Sequence, residues 1–102
     1  MSQEKIKVSD IVAITLENLG IKHIFGIIGA GNVHLFESIA KRGYTEIVCV
    51  HHEQAAAMAA TAYYRISGKL ALCLVTTGAG STNAITGVLA AHMDSIPVLV
   101  LS

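Results

Sequence analysis

The sequence predicts an α/β fold, a doubly wound parallel sheet with helices on both faces that is apparently truncated after its fourth strand. Three observations predict it. Strand-like and helix-like segments alternate along the chain. The strand runs, such as Leu70-Ala71-Leu72-Cys73-Leu74-Val75, are apolar at consecutive positions, so both their faces must be covered. Glycine-rich turns stand where strands give way to helices, and such crossovers are almost always right-handed.

Taken in order, Val8, Ile11, Val12, Leu16 and Leu19 recur at helical spacing, with Ser9 placed to cap the start and Gly20 just past the end. A short apolar strand over residues 23–28 runs into Gly29-Ala30-Gly31-Asn32. A second helix follows, carrying Val33, Phe36, Ile39 and Ala40 and closed by Lys41, Arg42 and Gly43. Residues 46–50 form the next strand, and the alanine-rich stretch 54–65 is helical by propensity. Residues 70–76 make a third strand, Gly78-Ala79-Gly80 breaks it, residues 81–92 read as one helix, and residues 97–101 as a fourth strand. No helix follows to cover that last strand, so residues 1–102 are expected to be part of a longer polypeptide.

One hundred and two residues suffice for one small domain. Only 14% are charged, against roughly 25% in an average soluble domain, so the chain is expected to bury surface against another domain or a second copy of itself. Seven basic and seven acidic residues give zero net charge and no electrostatic footprint for nucleic acid or an anionic membrane. The first residues lack a signal-peptide layout and no apolar run reaches the ~18 residues of a membrane span, so a cytoplasmic protein is expected. Cys49 and Cys73 lie in apolar runs without metal or redox spacing and read as buried, unbonded thiols.

In an open parallel sheet, ligands bind at the carboxyl ends of the strands. Three junctions qualify, at residues 29–32, 51–54 and 78–83. Gly29-x-Gly31 and Gly78-x-Gly80 each match half of a dinucleotide fingerprint and lack its third glycine, and neither is followed by the lysine of a phosphate loop. Their glycines serve either tight turns and close packing or the approach of backbone amides to a ligand. In His51-His52-Glu53-Gln54 the histidines have no metal-ligand spacing, so no metal site is expected. Glu53 would complement the helix dipole in any protein. Here it is expected at the end of an interior strand, ahead of Ala55, Ala56, Ala57, Met58, Ala59 and Ala60, where water has little access.

Four stretches, taken together, carry a resemblance: Ile24-Phe25-Gly26-Ile27-Ile28-Gly29, His52-Glu53-Gln54-Ala55-Ala56-Ala57-Met58-Ala59-Ala60, Thr77-Gly78-Ala79-Gly80-Ser81-Thr82-Asn83 and Asp94-Ser95-Ile96-Pro97-Val98-Leu99-Val100. In this order and spacing the chain resembles the N-terminal, pyrimidine-binding domain of thiamine diphosphate enzymes of the acetolactate synthase-like group. Two positions depart from the family, which commonly has proline where this chain has Ile28 and Ala79.

The resemblance implies that Glu53 is the catalytic carboxylate, hydrogen-bonding N1′ of the cofactor's aminopyrimidine. It also implies that Gly78, Gly80 and Asn83 lie beside that ring, and that Gly29, Ala30, Gly31 and Asn32 form a substrate-side loop. The implied cofactors are thiamine diphosphate, Mg2+ held by a separate domain, and in some members FAD. The implied substrate is a 2-oxo acid, in a homodimer or homotetramer. A carboligase of the acetolactate synthase type leads. A 2-oxo acid decarboxylase, including a two-chain form, and a non-catalytic nucleotide-binding or interaction module are the alternatives.

Overall fold

The computed structural model describes residues 5–102. Helix α1 (Val8–Asn18) turns Ala13 and Leu16 inward. Its cap differs from the expectation: Lys7 takes the N-cap position, and the Ser9 hydroxyl instead accepts a hydrogen bond from Ser38 at 2.8 Å. Ser9 therefore ties α1 to the helix that carries Ser38. Gly20, at φ +77, then reverses the chain into strand β1 (His23–Gly26).

Helix α2 (Val33–Arg42) ends as anticipated on Gly43 in the left-handed conformation, after two basic residues that suit a helix C-terminus. Strand β2 (Glu46–Cys49) leads into α3 (Glu53–Ser67), the longest helix. After β3 (Leu72–Leu74) the expected single helix is divided into α4 (Ala79–Asn83) and α5 (Ile85–Met93). The amide of Ala84 bonds back three residues to Ser81, so the α-helical ladder is interrupted there. The fourth strand, β4 (Leu99–Leu101), begins two residues later than expected, since Pro97 has no N–H to give to a ladder.

All pairings are parallel and the order is β2-β1-β3-β4, the doubly wound sheet that the sequence predicts. Each face carries its own core. Ala13 and Leu16 of α1 with Phe36 and Ile39 of α2 pack on Ile24, Leu72 and Leu74. On the other face Ala56 and Ala57 of α3 meet Cys73, Val75 and Ala84. The alternation of Leu72, Cys73, Leu74 and Val75 between the two cores explains why β3 is apolar throughout. His23 at the start of β1 sits between the Tyr63 hydroxyl (3.0 Å) and the Glu46 carboxylate (3.1 Å), so β1, β2 and the far end of α3 are held together.

Two expectations fail for one reason. Among the described strands β2 is an edge, so Glu53 does not follow an interior strand. Cys49, at the last position of that edge, is exposed; only Cys73, in the interior strand β3, is buried, and both thiols are free.

Candidate functional site

The chain leaves β1 for β2 on one side and returns to β3 on the other, so the strand order reverses between β1 and β3. In open α/β sheets this switch point opens a crevice at the carboxyl ends. The loops after β1 and β3 flank it.

The loop after β1 is shaped from within. Asn32, only 2% exposed, accepts the Gly29 N–H on Oδ1 at 2.7 Å and donates from Nδ2 to the Ile27 carbonyl at 3.1 Å. Both halves of its amide are thus used inside the loop. Ala30 and Gly31 stand exposed at the tip. Gly26, just upstream, is required by the sheet: a Cβ there would lie 2.1 Å from the Leu74 carbonyl oxygen.

Thr76, two residues past β3, joins the two loops, and sequence reasoning passed over it. Its hydroxyl accepts the Gly31 N–H at 3.1 Å, and its carbonyl accepts the Ser81 hydroxyl at 3.1 Å. A Cβ on Gly29 would fall 2.8 Å from Thr76 Cβ, and one on Gly80 would fall 2.8 Å from Thr76 Cγ2. Both glycines are therefore needed for close approach to the same side chain. The sequence offers only the glycines at two separate strand-to-helix junctions; their convergence on one side chain belongs to the fold.

Glu53 opens α3. His52 caps the helix by accepting the Gln54 N–H on Nδ1 at 3.0 Å, which leaves the Glu53 side chain free to turn inward. Glu53 is 9% exposed although its strand is an edge, because α3 crosses the sheet and α4 closes over it. Oε1 accepts from Asn83 Nδ2 at 3.2 Å. Oε2 faces Gly80, where an added Cβ would stand 3.4 Å away. Beneath it, burial first and the Glu53 charge second push the Cys73 thiol up to about 11. The helices close tightly behind the site, since a Cβ on Gly87 of α5 would approach Ala57 Cβ to 2.5 Å.

Glu53, Gly80 and Asn83 are thus brought together directly, and Gly29 and Gly31 are joined to them through Thr76. Gly78 holds φ +78 and ψ −124 with nothing within 4 Å of its Cβ position, so the start of this loop presents bare backbone. One carboxylate oxygen is held by an amide and the other faces Gly80, with the Thr76 methyl packed beside that glycine. A carboxylate held in this way can accept a hydrogen bond, or take up and return a proton, at Oε2. Among the described residues no group of three or more His, Cys, Asp or Glu side chains is placed to hold a metal ion, and no helix is long and apolar enough to cross a membrane.

A doubly wound sheet with a recessed carboxylate and two glycine loops at its switch point defines a ligand-binding α/β domain. The chain belongs to the family described as thiamine pyrophosphate enzyme, N-terminal TPP binding domain, whose pattern matches residues 6–102. It is 45% identical over 94 residues to the acetolactate synthase large subunit of Buchnera aphidicola subsp. Schizaphis graminum, covering 92% of this chain and 16% of that protein. It is 39% identical over 99 residues to the acetolactate synthase isozyme 3 large subunit of Escherichia coli, covering 97% and 17%. The large subunit from Haemophilus influenzae is 38% identical over the same length and shares. The chain therefore spans about one sixth of the length of the curated relatives it matches.

Proposed function

We propose that residues 1–102 are the N-terminal part of the pyrimidine-binding domain of an acetolactate synthase-like carboligase acting on 2-oxo acids, with Glu53 as its catalytic carboxylate. The observation that carries the reading is the division of labour on that carboxylate: Asn83 holds Oε1 while Oε2 faces Gly80. The residues fit an aminopyrimidine. Glu53 would hold a proton against the ring nitrogen, Gly78 and Gly80 would lie along the ring, and Asn83 would fix the carboxylate plane. Gly29, Ala30, Gly31 and Asn32 would form the substrate-side wall, with the amide of Asn32 giving the loop its shape.

Thiamine diphosphate, when bound, supplies the electron sink that allows a 2-oxo acid to lose carbon dioxide. The contribution of this chain is to place and exchange the proton that activates it. In this reading the diphosphate and Mg2+ are held by a separate domain, FAD is an accessory, and the enzyme is a cytoplasmic homodimer or homotetramer. Transfer of the two-carbon unit to a second carbonyl compound makes it a transferase rather than a lyase, and an early step of branched-chain amino acid synthesis is the matching role.

The test is Glu53→Gln in the complete enzyme. An amide cannot take up and return a proton as a carboxylate does, so exchange of the cofactor's acidic ring proton should slow by roughly 100-fold or more with the fold intact. Near-normal exchange would remove Glu53 from the mechanism.

A further inference from the structure

Thr76 makes contacts that neither turn chemistry nor core packing requires of a threonine. Its hydroxyl holds the Gly31 amide of one loop, and its methyl fills the space left by Gly80 of the other. Gly31 has no room for a side chain, as a Cβ there would lie 2.7 Å from Thr76 Oγ1 and 3.1 Å from Thr77 Oγ1. The loop tip is otherwise exposed, and its bond to the Thr76 hydroxyl ties it to a neighbouring strand end.

We propose that Thr76 is a positioning residue that sets the distance between the substrate-side loop and the Glu53 side of the cleft. It touches no reacting atom in this assignment and acts through the Gly31 backbone. The inference rests on the reading of Glu53 and residues 29–32 given above. Removing the hydroxyl frees the tip to move away from the strand, which weakens capture of the 2-oxo acid while the Glu53–Asn83 pair keeps its own geometry.

The experiment compares Thr76→Val, which removes the hydroxyl at nearly constant shape, with Thr76→Ser, which keeps it, both in the complete enzyme. Valine should raise KM for the 2-oxo acid roughly three- to tenfold, the worth of one hydrogen bond, with cofactor ring-proton exchange changed by no more than about twofold. Serine should restore KM. Should the valine variant fail to fold, Thr76→Ala carries the same expectation for KM. An unchanged KM, a serine variant as impaired as valine, or a loss confined to ring-proton exchange would each overturn the proposal. Glu53→Gln run in parallel separates the two ideas: normal exchange there defeats the assignment of Glu53, whereas a slowed Glu53→Gln with an unaffected Thr76→Val defeats only the role of Thr76.

Discussion

Asn83, the last residue of α4, donates from Nδ2 to Oε1 of Glu53, the first residue of α3, across 3.2 Å. The bond joins two helices that begin beyond different strands, and it leaves Oε2 as the oxygen facing Gly80. Because the helical ladder is interrupted at Ala84, immediately after Asn83, α4 can present this side chain to Glu53 while α5 packs independently against α3.

Asn83→Leu removes the donor and keeps a similar volume. A carboxylate oxygen left without its partner costs about 1–3 kcal/mol and frees the group to rotate, so ring-proton exchange in the complete enzyme should fall by about tenfold or more. Asn83→Gln, which keeps the amide but displaces it, should fall between Leu and the parent. Equal rates in all three would show that Oε1 needs no donor.

Gly87→Ala tests the packing that seats α3. The new methyl would lie 2.5 Å from Ala57 Cβ and 3.1 Å from the Gln54 carbonyl, both on the helix that begins with Glu53. Overpacking of this kind typically costs about 1–3 kcal/mol, so thermal unfolding should show a lowered Tm. Ala57→Gly in the same chain should recover part of the loss by vacating the contact, though it adds the helix cost of a glycine.

Much of this architecture is legible in the chain because it is local. The Gly43 terminus of α2, the alanine helix after Glu53 and the consecutive apolar positions of β3 follow from propensity and from faces that must be covered. Lateral strand order is not local. A run such as Glu46-Ile47-Val48-Cys49 reads alike at the centre or the edge of a sheet, which is why Cys49 was expected to be buried and is exposed. Ser9 does not cap α1 because its hydroxyl has a rival partner in Ser38, 29 residues away. Thr76 was missed because a threonine ending a strand looks like β propensity, and its role exists only once Gly29, Gly31 and Gly80 converge on it.

The cysteines give a measurement on the folded chain. Cys49 should react readily with a thiol reagent near pH 8, while Cys73 should react only on unfolding. Burial and the Glu53 charge raise the folded thiol from 9.0 to about 11, so its contribution to stability is complete below about pH 9 and is lost as pH rises toward 11. Two units correspond to about 2–3 kcal/mol. Cys73→Ala should flatten the alkaline decline in unfolding free energy, and an unchanged decline would assign it to other groups.

The 102 residues alone should be neither active nor comfortably monomeric. Val75, Ala84, Ile85, Val88, Leu89 and Val100 line an apolar groove of about 340 Å³ between α5 and β4. Ile85 is 58% exposed and Leu89 52%, on a chain that is only 14% charged. Apolar surface gathered in one place favours self-association, and β4, an edge among the described strands, adds a template for strand pairing. Light scattering on the purified chain should therefore report oligomers or aggregate, and Leu89→Lys should shift them toward monomer. Activity fails for a different reason: the proposed carboxylate is present, but the anchoring of a diphosphate through Mg2+ is assigned above to a separate domain. A carbon dioxide release assay with pyruvate, thiamine diphosphate and Mg2+ should accordingly give no turnover from this chain, and turnover should return when the complementary domain is added. A soluble monomer that decarboxylates pyruvate by itself would defeat both the assignment of the diphosphate and Mg2+ to a separate domain and the role given to the groove.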